Sequence, residues 1–162
     1  MIPLTALSIV TRFAATGEIG PVRCGASLND IAETFGEPHD LGRVFRSNQW
    51  PRRYAYGDVE LCVCQCRTVT MVSVSTARDP MELPDPEIDA LAVFPDRMTY
   101  SQVAAALDDA GCRWAAQPDE QPDRREVRTD PAGIALVFRV DEGEAVLEQA
   151  GNWTNAHLCL SS

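Results

Sequence analysis

Apolar residues recur at helical spacing in two places about seventy positions apart. In the first, Leu28, Ile31 and Phe35 follow Ser27 and Asp30, an N-terminal cap pair. Gly36 then supplies a left-handed end and Pro38 blocks continuation. In the second, Thr99 and Gln102 form a capping box ahead of Tyr100, Val103, Ala106, Leu107 and Ala110, and Gly111 ends the run. A shift of 72 carries Ile19 onto Leu91, Val22 onto Phe94, Leu28 onto Tyr100, Ile31 onto Val103 and Phe35 onto Leu107.

Alternation at period two follows each helix after a polar, irregular stretch. Arg53–Tyr56 meets the turn Gly57-Asp58 and then Val59–Cys64, a hairpin with a two-residue loop. A third run, Val69–Ser75, changes phase between Met71 and Val72, which predicts a bulge. In the second half, Arg124–Arg128 leads through Asp130-Pro131-Ala132-Gly133 into Ile134–Val140. Asp141-Glu142-Gly143 then turns the chain into Ala145–Glu148, and His157–Leu160 reads as an edge strand.

The fold class expected is α+β: two tandem units, each a short helix followed by three antiparallel strands. They would form one continuous sheet or two adjoining ones, with helices on one face. A small unit of this kind buries its apolar face poorly alone, whereas two joined units do so well. The boundaries expected are 1–78 for the first unit and 91–162 for the second. Residues 79–90, rich in proline and acid, read as a semi-rigid linker. Pro86 there suits the first turn of a short helix covering Ile88 and Leu91.

Composition changes this picture in two respects. The formal net charge is -10, and all fourteen basic residues are arginine. Without lysine, a Schiff base, a phosphate-loop lysine and a lysine general base are excluded. An acidic chain repels nucleic acid and anionic lipid and attracts a basic protein, so neither nucleic acid nor membrane is an expected partner. Met1–Val10 is apolar without a preceding basic residue, is too short to span a bilayer and is soon followed by Arg12. The expectation is a cytoplasmic protein whose six cysteines are reduced. The sequon Asn152-Trp153-Thr154 carries no meaning in that setting.

The stretch Val22-Arg23-Cys24-Gly25-Ala26-Ser27, continuing to Ile31 and Phe35-Gly36-Glu37-Pro38, resembles the motif of the β-lactamase-inhibitor-protein-like and SmpA/OmlA-like families. Those families carry a Gly-x-Ser/Thr turn into a helix ending in Gly-x-Pro, then an antiparallel sheet. The match covers about seventeen residues and weakens in the second half, where Gly25 falls on Arg97. The resemblance implies tandem helix-plus-sheet units that bind proteins through the concave sheet face and its loops. A cytosolic counterpart would be an immunity-type protein or an adaptor.

Residues with chemical potential are few. Cys62, Cys64 and Cys66 lie at period two, so a continuing strand places them on one face, where neighbouring thiols splay apart. Structural zinc wants four ligands in paired spacing, so no metal is expected and the cysteines read as small apolar fillers. His39 and Cys24 would need hydrogen-bond reach and a third orienting group to act as a nucleophilic pair. No nucleophile elbow, zinc-protease motif, dinucleotide loop or phosphate loop is present, and no cofactor is implied. Glu142 and Glu144, in a hairpin turn, read as solvated.

The most distinctive stretch is His39–Arg53. It carries Arg43, Phe45, Arg46, Trp50, Arg52 and Arg53 against Asp40 alone, a local charge of about +3 in a strongly acidic chain. Arginine and tryptophan are enriched at interface hot spots, and a loop of this length is more often functional than incidental. Its counterpart, Ala115–Asp123, is acidic and follows Trp114. The leading expectation is a non-catalytic binding module, of immunity or inhibitor type. It would engage a protein through Arg43, Phe45, Arg46, Trp50, Arg52, Tyr54, Tyr56, Trp114 and Trp153. The alternatives are a small enzyme with a cysteine nucleophile or a carboxylate pair between the halves, and a homodimeric structural subunit.

Overall fold

The computed structural model describes residues 5–78, 80–95, 97–118 and 121–153. The first part of the chain holds α1 (Ala6–Thr16), α2 (Leu28–Phe35), β1 (His39–Arg43), β2 (Arg52–Tyr56), β3 (Val59–Val63) and β4 (Val69–Ser75). A hairpin follows, β5 (Met81–Asp85) and β6 (Ala90–Phe94). The remainder holds α3 (Tyr100–Asp109), β7 (Arg113–Ala116), β8 (Arg124–Asp130), β9 (Ala135–Asp141) and β10 (Glu144–Trp153).

Eight strands form one antiparallel sheet in the order β1-β2-β3-β4-β10-β9-β8-β7, and β5 and β6 pair separately. The class is therefore α+β with helices on one face. All three helices touch the same set of alternating strand residues. Phe35 of α2 packs on Tyr56, Tyr100 of α3 packs on Phe138, and the Thr129 hydroxyl of β8 donates to the Ala14 carbonyl of α1 at 2.6 Å. Between sheet and helices lie Phe13, Leu28, Ile31, Leu61, Val72, Leu107, Leu136 and Leu147, all buried.

Local chemistry accounts for the helix ends. The Ser27 hydroxyl caps α2 by accepting from the Asn29 N–H, and Thr99 with Gln102 makes the reciprocal capping box of α3. Both starts are also tied to the sheet. Val69 N–H donates to the Ala26 carbonyl at 2.9 Å, and Leu147 N–H donates to the Met98 carbonyl at 2.8 Å. Ser27 and Thr99 each bridge a strand edge, at Thr68 and Val146.

Several expectations are corrected. Each group of strands numbers four rather than three, because β1 and β7 are edge strands with little burial and so leave no alternation to detect. Helix α1 was not foreseen; its buried Ile9, Val10 and Phe13 belong to the same apolar run that reads superficially as a terminus. The interval read as a linker is mostly the β5–β6 hairpin, since Met81 and Leu83 alternate into the core. No helix starts at Pro86; residues 86–89 turn between the two strands. Strand β3 stops at Val63, so Cys62, Cys64 and Cys66 do not share a strand. The predicted bulge falls at Thr70, where Cys62 pairs with Met71 and Val63 with Val69. The proposed edge strand at His157–Leu160 lies outside the described residues.

Thr129 is the polar linchpin of this core. Its hydroxyl also accepts from the Ile134 N–H at 3.0 Å while the residue is buried. Replacing it by valine keeps the volume but strands both partners. Thr129→Val should therefore lower stability by about 1–3 kcal/mol, read as a lower urea midpoint at unchanged slope.

Candidate binding surface

With the helices on one face, the other face of the sheet is left open. One cross-strand row runs His39, Ala55, Glu60, Ser73 and Gly151 across five strands. Its neighbour runs Arg53, Cys62, Met71 and Trp153. Small side chains in the middle of the first row leave the surface shallow. Towards β5 it deepens into a groove of 630 Å³ lined by His39, Leu41, Ala55, Gly57, Asp58, Glu60, Ser75, Arg78 and Glu82. Its three carboxylates are partly offset by arginine: Glu60 is held by Arg53 at 2.7 Å, and Asp58 lies 3.8 Å from Arg78 of the same lining.

At the opposite end of β1 and β2 the chain forms a projecting tip. Val44 N–H donates to the Pro51 carbonyl at 3.0 Å, which extends the hairpin beyond β1. Within that tip Arg43, Val44, Phe45 and Arg46 are exposed, Phe45 by 56 % of its surface. Leu41 on the adjoining edge strand is 41 % exposed. An exposed Val44-Phe45 pair flanked by two arginines is costly to leave in water and chemically suited to an interface.

The predicted site residues divide sharply. Arg43, Phe45 and Arg46 share the tip. Trp50 is half-buried and packs against the core. Arg52 is committed elsewhere: its guanidinium donates to both Asp40 oxygens at 3.0–3.1 Å. The Gly42 N–H and then Arg52 hold the Asp40 carboxyl below its usual range, and Asp40 raises Arg52 in turn. That pair fixes the base of the hairpin.

Tyr54 and Tyr56 are removed from the binding surface. Both point to the helix face and are buried, because strand parity puts them beneath α2 while Arg53 and Ala55 face out. Trp114 lies on the far edge of the sheet, packs edge-on to Tyr100, and donates its indole N–H to Asp108 at 2.9 Å. It helps clamp α3 and is remote from the tip. Trp153 ends β10 and its backbone pairs opposite Met71. Leu41, Val44 and the outward row were missed; the adjacent Val44-Phe45 pair in a polar stretch was the available signal.

His39 and Cys24 are not brought together. His39 is on β1, whereas the Cys24 thiol reaches the Asn152 carbonyl of β10 at 3.7 Å. Four strand spacings, roughly 19 Å, separate those strands. Burial pushes the thiols of Cys24, Cys62 and Cys112 up from their ordinary value, which disfavours the thiolate. Among the described residues no group of three or more His, Cys, Asp or Glu is arranged to hold a metal ion. No helix among them is long and apolar enough to cross a membrane.

No protein-family model, curated protein or solved structure matches this chain.

Tyr56 generates a pH-dependent prediction. Its hydroxyl donates to the Gly36 carbonyl at 2.8 Å. Desolvation, and then the Glu37 charge, push its pKa up to about 12 from 10.0, Arg67 opposing weakly. The unfolded chain therefore loses this proton first as pH rises, and stability falls from about pH 10 through 12. Tyr56→Phe should cost about 1 kcal/mol near neutrality. That deficit should shrink across the same alkaline window when urea midpoints of both proteins are compared.

Proposed function

We propose that this protein is a non-catalytic binding module, of immunity or inhibitor type, that masks a partner protein. The observation that carries this reading is the β1–β2 tip, where exposed Phe45 and Val44 stand between Arg43 and Arg46. At the base of the hairpin Arg52 pairs with Asp40, and Trp50 packs against the core. The net charge of -10 suits a basic surface on the same partner.

The tandem reading belongs to this proposal. Ala26 and Met98, 72 residues apart, bond the last strand of their own group of four in the same way, and Ser27 and Thr99 cap their helices alike. We take the two groups as copies of one helix-plus-sheet unit, as the resemblance to the inhibitor-protein-like families implies. The β5–β6 hairpin is an insertion between them.

Recombinant protein used as bait in a lysate of its own host, at physiological salt, should retain a partner. Phe45→Ala combined with Arg46→Ala should weaken that retention about thirtyfold, the loss typical of a hot-spot pair. Retention of no partner, or equal retention by the variant, would refute the assignment.

A second reading rests on a different surface. Ile88, Leu91 and Val93 of the β5–β6 hairpin are exposed, by 60 %, 37 % and 60 %. Among the described residues β6 pairs only with β5, leaving an apolar edge that a second copy could extend. Light-scattering mass should then rise towards twice the chain mass with concentration, and Val93→Glu should restore the monomer. A constant monomer mass rules this reading out.

A further inference from the structure

The turn joining β3 to β4 brings two thiols together. Cys64 N–H donates to the Thr68 carbonyl at 3.0 Å, and Arg67 N–H donates to the Cys64 carbonyl at 2.9 Å. Arg67 is left-handed, with φ of 64°. This is a three-residue hairpin loop, a tight turn followed by one residue in the region glycine usually occupies. Because the strand ends before it, the alternation that would separate the side chains of positions 64 and 66 across a pleat no longer applies. The Cys64 and Cys66 sulfurs lie 3.0 Å apart, with Cys66 exposed and Cys64 half-buried. A disulfide bond spans about 2.05 Å, so the sulfurs need to approach by only about 1 Å.

The backbone of this turn is braced from outside. The Arg67 carbonyl accepts from the Leu28 N–H at 2.8 Å, and the Arg67 guanidinium donates to the Asn29 side chain at 2.8 Å. Val69 N–H donates to the Ala26 carbonyl, and Gly25 N–H to the Val69 carbonyl. The first turn of α2 thereby holds the loop in the conformation that presents both sulfurs. The Thr68 hydroxyl lies 3.2 Å from the Cys66 sulfur.

We propose that Cys64 and Cys66 form a dithiol exchange site that reduces a small disulfide of the glutathione class and closes to an intramolecular disulfide. The exposed Cys66 thiolate attacks one sulfur of the small disulfide, forming a mixed disulfide and expelling one thiolate, which takes up a proton. The Cys64 thiolate then attacks the Cys66 sulfur and expels the second small thiolate, which is protonated in turn. The protein gives up two thiol protons and two electrons; one disulfide is reduced to two thiols. Proximity makes the second step intramolecular, and so fast relative to attack by a second external thiol. Three other described thiols, Cys24, Cys62 and Cys112, are held partly buried, so they compete poorly. The site is independent of the binding reading above.

The test uses the full chain, fully reduced and then exposed to oxidised glutathione at neutral pH, with acid quenching, alkylation and mass analysis over time. The expected product lacks two alkylatable thiols and is roughly 2 Da lighter before alkylation, as one new disulfide requires. Fragmentation should place the bond between Cys64 and Cys66, with Cys62 alkylated. Cys64→Ser should instead accumulate a glutathione adduct on Cys66 that persists at least about a hundredfold longer than in the parent, since the resolving thiol is gone. Cys62→Ser should behave as the parent. A persistent adduct on the parent protein, a disulfide mapped to another pair, or retention of all thiols would overturn the assignment.

Discussion

Everything in this fold depends on the pairing of β4 with β10. Val74 lies opposite Ala150 and Val72 opposite Asn152, so the ladder runs unbroken from one group of strands to the other. Without it, each four-stranded group would expose an inner edge and half an apolar face. With it, the valines of β3 and β4 and the larger side chains of β9 and β10 line one continuous floor on which three helices sit. The two helix starts that bond to the final strand of each group would be tethered to loose edges without this junction.

One-sided burial has a direct consequence for function. Covering one face with helices leaves the other in water, where most of the described apolar residues of the paired strands, Met71 and Val137 among them, are only partly exposed. The exceptions are concentrated where the sheet's own rules relax: at the β1–β2 tip, beyond the last paired residues, and at the β5–β6 hairpin, outside the main sheet. Apolar side chains at such places cannot be explained by the core. They are the natural contact points of a protein whose remaining surface is acidic and polar.

The cysteines show how small changes in backbone course redirect chemistry. Cys62 keeps to the pleat and rests its sulfur 3.9 Å from that of Met71. Two residues further on the strand has ended, and the same residue type meets a second copy of itself across a turn. Neither spacing nor composition distinguishes the two outcomes; the hydrogen bonds of Cys64 and Arg67 do.

The amino-acid order by itself determined α2, α3 and the strands with two-sided alternation, because caps, glycine ends and period-two runs are local properties. Ser27, Thr99 and Gly57 acted as those properties predict, while the phase change read between Met71 and Val72 marks a bulge that falls at Thr70. At the tip, Arg43, Phe45 and Arg46 were legible for the same reason, as an unusual mixture within a few residues. Tertiary structure alone decided what depends on a neighbour distant in the chain. It joined β4 to β10, recruited α1 against Thr129, turned Tyr54 and Tyr56 inward and tied Arg52 to Asp40. Edge strands β1 and β7 carry no buried face and so no pattern, and a residue's exposure is set by what lies on top of it, which no local window of residues contains.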